Sequence, residues 1–192
     1  MLEEEYESRR VLPPHLRKAP PPEPGFSFEI RDARDADLPD IREIYNHYVR
    51  NTVVTFDEDD STLKEWRRKF SRNQKLGLPF IVAVSPSGQI LGYAMVSPWS
   101  SKRAYRFTVE NSIYLRAAST GKGLGRALMA ELLERAKAVG IRQIMAVIAD
   151  KGAEASLAMH AQFGFVEVGR MGRVGFKFER WLSTVLLQKT LK

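Results

Sequence analysis

From Phe26 onward, short apolar runs alternate with stretches of helical period, and together they lay out a whole domain. Phe28 to Arg31 alternates as a first strand. Asp35 or Asp37 is placed to cap a helix with Pro39 in its first turn, followed by Ile41, Ile44, Tyr45 and Tyr48 at helical spacing. Residues 51–60 form a loop that holds Phe56. Thr62 and Glu65 then make a capping-box pattern at a helix carrying Leu63, Trp66 and Phe70. Phe80–Val84 and Ile90–Ser97 read as a hairpin around Pro86-Ser87-Gly88, and 98–105 as a loop.

The second half continues in the same way. Phe107–Leu115 is the next strand, and Leu124, Leu128, Leu132 and Ala136 form one stripe of a helix reaching Val139. Ile144–Ile148 has the apolar run of a buried strand, Ala153–Phe163 is helical and ended by Gly164, and two last strands occupy 165–175 and 181–189. The order β, α, α, β, β, β, α, β, α, β, β predicts an α/β (α+β) fold. Its sheet is mixed but mostly antiparallel, of about seven strands, with helices on both faces.

Residues 1–26 differ from this domain, which spans 27–192. Glu3-Glu4-Glu5 opens the segment, and six of the ten prolines lie between Pro13 and Pro24. Pro20-Pro21-Pro22 favours extended geometry and forbids a packed helix, so this segment reads as a surface arm, or as one that docks across a neighbouring subunit.

Composition narrows the chemistry. There is no cysteine, which removes a disulfide framework, a thiol nucleophile and thiolate metal sites. His15, His47 and His160 are too widely spaced to imply a bound metal. No apolar run approaches a membrane span and no signal-peptide core is present, so a cytoplasmic protein is expected. The net charge of +7 asks for an acidic partner. The basic residues are dispersed, without the interleaved aromatics of RNA-binding modules, and a small polyanionic cofactor suits a local basic site as well as nucleic acid would.

Where that polyanion would sit is marked by Thr120-Gly121-Lys122-Gly123-Leu124-Gly125-Arg126, a glycine-rich turn between a strand and a helix. Glycines let backbone N–H groups converge, and a helix N-terminus adds unpaired donors and partial positive charge. The phosphate-binding loop of nucleotide hydrolases would need glycine at Arg116 and Ser or Thr at Gly123, and the dinucleotide fingerprint would need glycine at Arg126. The alternatives are an anion site of another kind or a tight turn with no ligand. In the strand before it, Arg106, Thr108, Glu110, Ser112 and Tyr114 share one face, with Phe107, Val109, Asn111, Ile113 and Leu115 on the other. The polar row is either a solvated sheet face or a line of functional groups leading to the anion site.

The order of elements and the 120–126 loop resemble the GNAT acetyltransferase superfamily. Four further segments narrow the resemblance: Ile44-Tyr45-Asn46-His47, Tyr105 to Tyr114, Ala155-Ser156-Leu157-Ala158-Met159-His160, and Val174 to Trp181. Together they look like the phosphinothricin and methionine sulfoximine N-acetyltransferase group over about residues 28–190. The resemblance implies acetyl-CoA as co-substrate, no metal, and a homodimer. It implies a pyrophosphate cradle at Thr120, Gly121, Lys122, Gly123, Leu124, Gly125 and Arg126, with Tyr114, Leu115 and Ser156 also on the cofactor side. Where this chain has Thr120 the group usually has Gln or Arg, and where it has Ala153 the group usually has Asn. Backbone donors survive both changes, while a side-chain contact to the pantetheine arm would be lost.

Amine acetylation requires a neutral amine, a polarised thioester carbonyl and a proton for the departing thiolate. Glu110 is the candidate general base, directly or through a water. A peptide α-amine near pKa ~8 suits one carboxylate base better than a lysine near ~10.4. A backbone N–H at Tyr114 or Leu115 is expected to meet the oxyanion. His160, where many superfamily members carry tyrosine, either protonates the thiolate or is simply packed. For an acceptor carboxylate the candidates are Arg103 and Arg106, unless they are surface arginines, with Phe56 and Tyr105 lining the pocket and Lys177 reaching a second acidic group. The reading that emerges is direct acetyl transfer to the α-amine of a small glutamate- or methionine-like compound. Rival readings are another amine (a protein N-terminus or a polyamine), a non-catalytic acyl-CoA-binding module, and nucleic-acid binding.

Overall fold

A computed structural model describes residues 26–192. The arm expected over residues 1–26 therefore lies, apart from Phe26, outside the described residues. Seven strands form one sheet: β1 (Glu29–Asp32), β2 (Phe80–Val84), β3 (Ile90–Pro98), β4 (Thr108–Leu115), β5 (Gln143–Ala149), β6 (Val166–Lys177) and β7 (Arg180–Thr190). Four α-helices accompany them: α1 (Leu38–Asn51), α2 (Leu63–Leu76), α3 (Leu124–Ala138) and α4 (Glu154–Gln162). The strand order is β1-β2-β3-β4-β5-β7-β6, with β4 and β5 parallel and every other pair antiparallel.

Alternation along the central strands supplies two cores. Val82, Tyr93 and Met95 pack with Ile41, Tyr45, Trp66 and Phe70 of α1 and α2. Ile81, Ala94, Val109, Ile144 and Ala146 face the other way, onto Leu124, Leu128, Leu132 and Ala136 of α3. The single stripe foreseen on α3 is fully buried there.

Two helix starts follow different rules. At α2 both capping-box bonds form: Thr62 Oγ1 accepts from Glu65 N (3.2 Å) and Glu65 Oε2 accepts from Thr62 N (2.7 Å). Thr62→Ala is expected to cost about 1 kcal/mol, read as a lower denaturation midpoint with unchanged slope. At α1 Pro39 occupies the first turn as expected, but the Asp37 side chain does not cap. Its carboxylate instead takes the Arg31 guanidinium through two bonds (2.7 and 2.8 Å) and the Arg34 N–H. Burial works against its charge, yet these donors hold the carboxyl below its usual range.

Candidate active site

β4 and β5 pair at only three positions, Thr108–Gln143, Val109–Ile144 and Glu110–Met145. Beyond Glu110 they diverge, and the sheet opens at its centre. Arg116 N–H donates to Leu91 O on β3 (2.8 Å), and Phe107 O accepts from Gln143 N on β5 (3.0 Å). Ladder alternation then commits the Tyr114 N–H to β3 and turns the N–H groups of Asn111, Ile113 and Leu115 toward the gap. Of the two backbone donors expected at the strand end, Leu115 faces the opening and Tyr114 does not.

Two cavities meet at this opening. The first, about 730 Å³, runs from Glu110 along β4 to the glycine loop and α4. Thr120, Gly121, Gly123, Gly125, Arg126, Ser156 and Ala153 line it, as do Tyr114 and Leu115. Gly121 and Gly123 have φ of 73° and 82°, the left-handed conformation that turns the chain into α3. The first α-helical bond of α3 is Ala127 N to Gly123 O, so the N–H groups of Leu124, Gly125 and Arg126 have no helical partner. The Leu124 side chain is buried in the core and leaves only its N–H for a ligand. Lys122 is outside the lining; its Nζ stands 4.9 Å from the centre of the Phe26 ring. Thr120 is exposed, and its Oγ1 donates to Ala117 O at 2.8 Å.

The second cavity, about 410 Å³, lies on the α1/α2 side between α2, residues 54–56 and the strands. It shares Val54, Glu110, Ser112, Tyr114 and Val147 with the first. The polar row of β4 is thus not continuous to Arg106: Glu110, Ser112 and Tyr114, each half-buried, form the common wall. Burial pushes the Glu110 carboxyl above the usual carboxylate range, and no cation among the described residues is paired with it. A carboxylate facing two adjoining cavities is placed to move a proton between their occupants. A wider depression of about 860 Å³ between α3 and β7 shares no residue with either cavity, and neither Glu110 nor His160 lines it.

His160 is buried, with both ring nitrogens engaged. Nδ1 lies 2.8 Å from Ser156 O, which can only accept, and Nε2 lies 3.0 Å from Asn111 Nδ2, which donates. The pattern is that of a neutral ring protonated at Nδ1, and burial lowers its pKa against the opposing effect of the Ser156 carbonyl. It packs edge-on against Phe165 (4.8 Å) and also lines the first cavity. Its partner was passed over in the sequence: Asn111 is the one polar side chain in the apolar row of β4. Its Oδ1 is buried without a partner among the described residues, and the residue lines the first cavity.

The expected acceptor residues are only partly brought together. Phe56 lines the second cavity, held by Gly175, where a Cβ would come within 2.6 Å of its Cε2. Arg103, Tyr105 and Arg106 line neither cavity. The chain leaves β4 before Thr108, and Arg106 stacks on Phe107 at 4.4 Å in an exposed turn. Lys177 is also outside: 2% exposed, it donates from Nζ to Thr55 O at 2.9 Å and ties the 52–60 loop to β6. The cations that do line the second cavity are Lys69 and Arg72 of α2. Lys69 Nζ stands 4.8 Å from the Trp66 ring centre, on the stripe that carries Trp66 and Asn73 into the core. That placement three residues after a buried tryptophan was the signal available in the sequence.

Among the described residues no group of three or more His, Asp or Glu side chains is disposed to hold a metal, and no helix is long and apolar enough to cross a membrane. The family model for the acetyltransferase (GNAT) domain matches residues 30–186. Phosphinothricin N-acetyltransferase of Alcaligenes faecalis is 41% identical over 162 residues, which is 84% of this chain and 82% of that one. The L-methionine sulfoximine/L-methionine sulfone acetyltransferase of Pseudomonas aeruginosa is 41% identical over 166 residues, covering 86% of this chain and 96% of its own. The crystal structure of a GNAT superfamily phosphinothricin acetyltransferase from Sinorhizobium meliloti, in complex with acetyl-CoA, superposes with a TM-score of 0.82 at 42% identity, covering 86% and 89% of the two chains. Opened sheet, glycine loop and sequence thus agree, and the chain belongs to the GNAT family of acetyltransferases.

Proposed function

We propose that this enzyme transfers the acetyl group of acetyl-CoA to the α-amine of a small amino-acid-like acceptor, such as methionine sulfoximine, methionine sulfone or phosphinothricin, by direct attack. The observation that carries the proposal is Glu110, a half-buried carboxylate common to both cavities and without a paired cation among the described residues. The first cavity suits the co-substrate, with unpartnered N–H groups at the start of α3 for the pyrophosphate and Asn111 Oδ1 for an amide N–H of the pantetheine arm. Ala153 offers that arm no side-chain bond.

Acetyl-CoA supplies an electrophilic thioester carbonyl. In the second cavity Lys69 and Arg72 hold the acceptor carboxylate and leave its amine toward Glu110. Glu110 takes a proton from the ammonium group; the neutral amine so formed bonds to the thioester carbonyl carbon, whose oxygen meets the Leu115 N–H, and the carbon–sulfur bond then breaks to release the thiolate. A thiol near pKa ~8.5 leaves without a protein acid, so His160 serves by fixing Asn111. With no cysteine in the chain, a thiol-linked acetyl-enzyme is excluded.

The homodimer is proposed to form through β6. This edge strand and its hairpin expose Val166, Val168, Val174, Phe176 and Trp181. Arg173 at φ 55°, Phe178 at 51° and Glu179 at 57° hold strained backbone along it. The same hairpin carries Lys177. Lys177→Met is expected to raise the acceptor KM roughly tenfold with a smaller change in kcat, by freeing the loop that bears Thr55 and Phe56. Steady-state kinetics at saturating acetyl-CoA will read the split.

The substrate class is tested by incubating the protein with acetyl-CoA and a panel of amines and identifying N-acetylated products by mass. The panel contains methionine sulfone, methionine sulfoximine, phosphinothricin, methionine, glutamate, a polyamine and a peptide with a free N-terminus. Acetylation of the amino acids with oxidised or phosphorus-bearing side chains supports the proposal. Products confined to the polyamine or peptide would replace it with another acceptor class.

A further inference from the structure

The glycines of β6 differ in what surrounds them. A Cβ at Gly169 or Gly172 would meet nothing within 4 Å among the described residues, whereas at Gly175 it would come within 2.6 Å of Phe56 Cε2, collide with Phe56 Cδ2 and stand 3.3 Å from Phe56 Cγ. Gly175 does not have the left-handed backbone of Gly121 or Gly123, so its conformation suits any L-residue and the Phe56 ring is what excludes a side chain. A strand glycine of this kind marks a close approach. Two residues on, along the same face of β6, Lys177 donates to Thr55 O (2.9 Å). The strand thus holds two consecutive residues of the 52–60 loop, one by its carbonyl and the next by its ring.

Sheet order fixes what that ring bounds. Helix α2, which carries Lys69 and Arg72, packs through Trp66 and Phe70 over Tyr93 and Met95 of β3. Glu110 stands on β4, and Phe56 is seated on β6 at the far edge of the sheet. With the acceptor carboxylate on Lys69 and Arg72 and the amine at Glu110, the direction left to the side chain runs across β5 and β7. On that side Val147, Ala149, Thr184 and Phe56 line the second cavity, while Gly175 does not. The ring therefore lies between Gly175 and the cavity and closes its end. The wall there is largely apolar and suits an alkyl terminus better than a second charge.

We propose that Gly175 is a positioning residue for acceptor specificity: by letting the Phe56 ring seat against β6, it sets the length of side chain that the second cavity admits. The inference rests on the amino-acid acceptor proposed above. A larger residue at 175 drives the ring away from β6, and that direction is into the cavity.

The test uses methionine sulfone and its homologues with S-ethyl or S-butyl in place of S-methyl, so that only alkyl length changes. Wild type is expected to acetylate the S-methyl and S-ethyl compounds. Gly175→Ala should lower the S-ethyl to S-methyl ratio of kcat/KM by roughly 10-fold, the discrimination that one methylene commands in a tight apolar pocket. The S-butyl compound should fall further, with acetyl-CoA affinity unchanged. Phe56→Leu should raise the same ratio. The double variant Gly175→Ala/Phe56→Leu should return it to within about 3-fold of wild type, because the shorter side chain removes the collision. A uniform loss for all three compounds in Gly175→Ala, or a ratio that Phe56→Leu does not restore, overturns the inference and leaves the amino-acid acceptor intact. Should Gly175→Ala fail to fold, a double variant that also fails overturns it, and one that folds with the wild-type ratio upholds it. Wild type inactive on all three compounds overturns it too; products from the other amino acids of the panel, or only from the polyamine or peptide, then show whether the acceptor class falls with it.

Discussion

Glu110→Gln is expected to lower kcat/KM for the amine acceptor by roughly 10²–10⁴-fold while leaving acetyl-CoA affinity near that of wild type. Glutamine keeps the volume and polarity of the wall between the cavities and loses only the ability to accept a proton. The pH dependence sharpens the expectation. Glu110 acts as a base only when ionised, and burial raises its pKa. The acid limb of the wild-type kcat/KM profile should therefore lie above the ordinary carboxylate range and vanish from the residual activity of Glu110→Gln. Stability moves the other way. A carboxyl whose folded pKa exceeds its unfolded value binds its proton more tightly when folded. Stability is then lost as pH rises from the unfolded carboxylate value through the raised one. Glu110→Gln removes that loss and should be at least as stable as wild type at pH 7. A variant that is both inactive and destabilised would point to a structural role instead.

Gly123→Val is the second large effect. Gly123 stands at φ 82° immediately before α3. A left-handed backbone costs an ordinary L-residue about 1–2 kcal/mol, and a branched β-carbon is worse suited to it. No atom lies within 4 Å of the position a Cβ would take, so the strain is in the backbone and not in a clash. Relief of that strain rotates the N–H groups of Leu124, Gly125 and Arg126 off their common focus. Calorimetry should show acetyl-CoA binding weakened roughly 10-fold or more, with a thermal unfolding shift of only a few degrees. Unchanged affinity would mean that the loop does not carry the pyrophosphate.

What the sequence reveals depends on how local each signal is. The glycine loop announces itself because Gly121 and Gly123 answer a local backbone demand, and Thr62 with Glu65 does the same for α2. Glu110 follows from alternation along one strand. Arg103 and Arg106 were attractive for their nearness in sequence to Glu110, but the turn before Thr108 carries them out of the sheet. The cations that line the second cavity, Lys69 and Arg72, sit among other charges on an amphipathic helix, and only the packing of α2 brings them there. His160 was undecided in the sequence because its environment is tertiary: Asn111 arrives from β4 and Phe165 from the chain after α4. Tyr93 and Thr184 read as ordinary strand residues, and that their hydroxyls lack a partner among the described residues emerges only once six helices and strands enclose one cavity.

The proposed reaction proceeds through a ternary complex in which acetyl-CoA and an α-amino acid occupy adjoining cavities on either side of Glu110. Initial rates of thiol release, with acetyl-CoA varied at several fixed concentrations of methionine sulfone, test it most directly. Intersecting double-reciprocal lines with one N-acetylated product per thiol are the predicted result. Parallel lines, or thiol release without N-acetylmethionine sulfone, would contradict it.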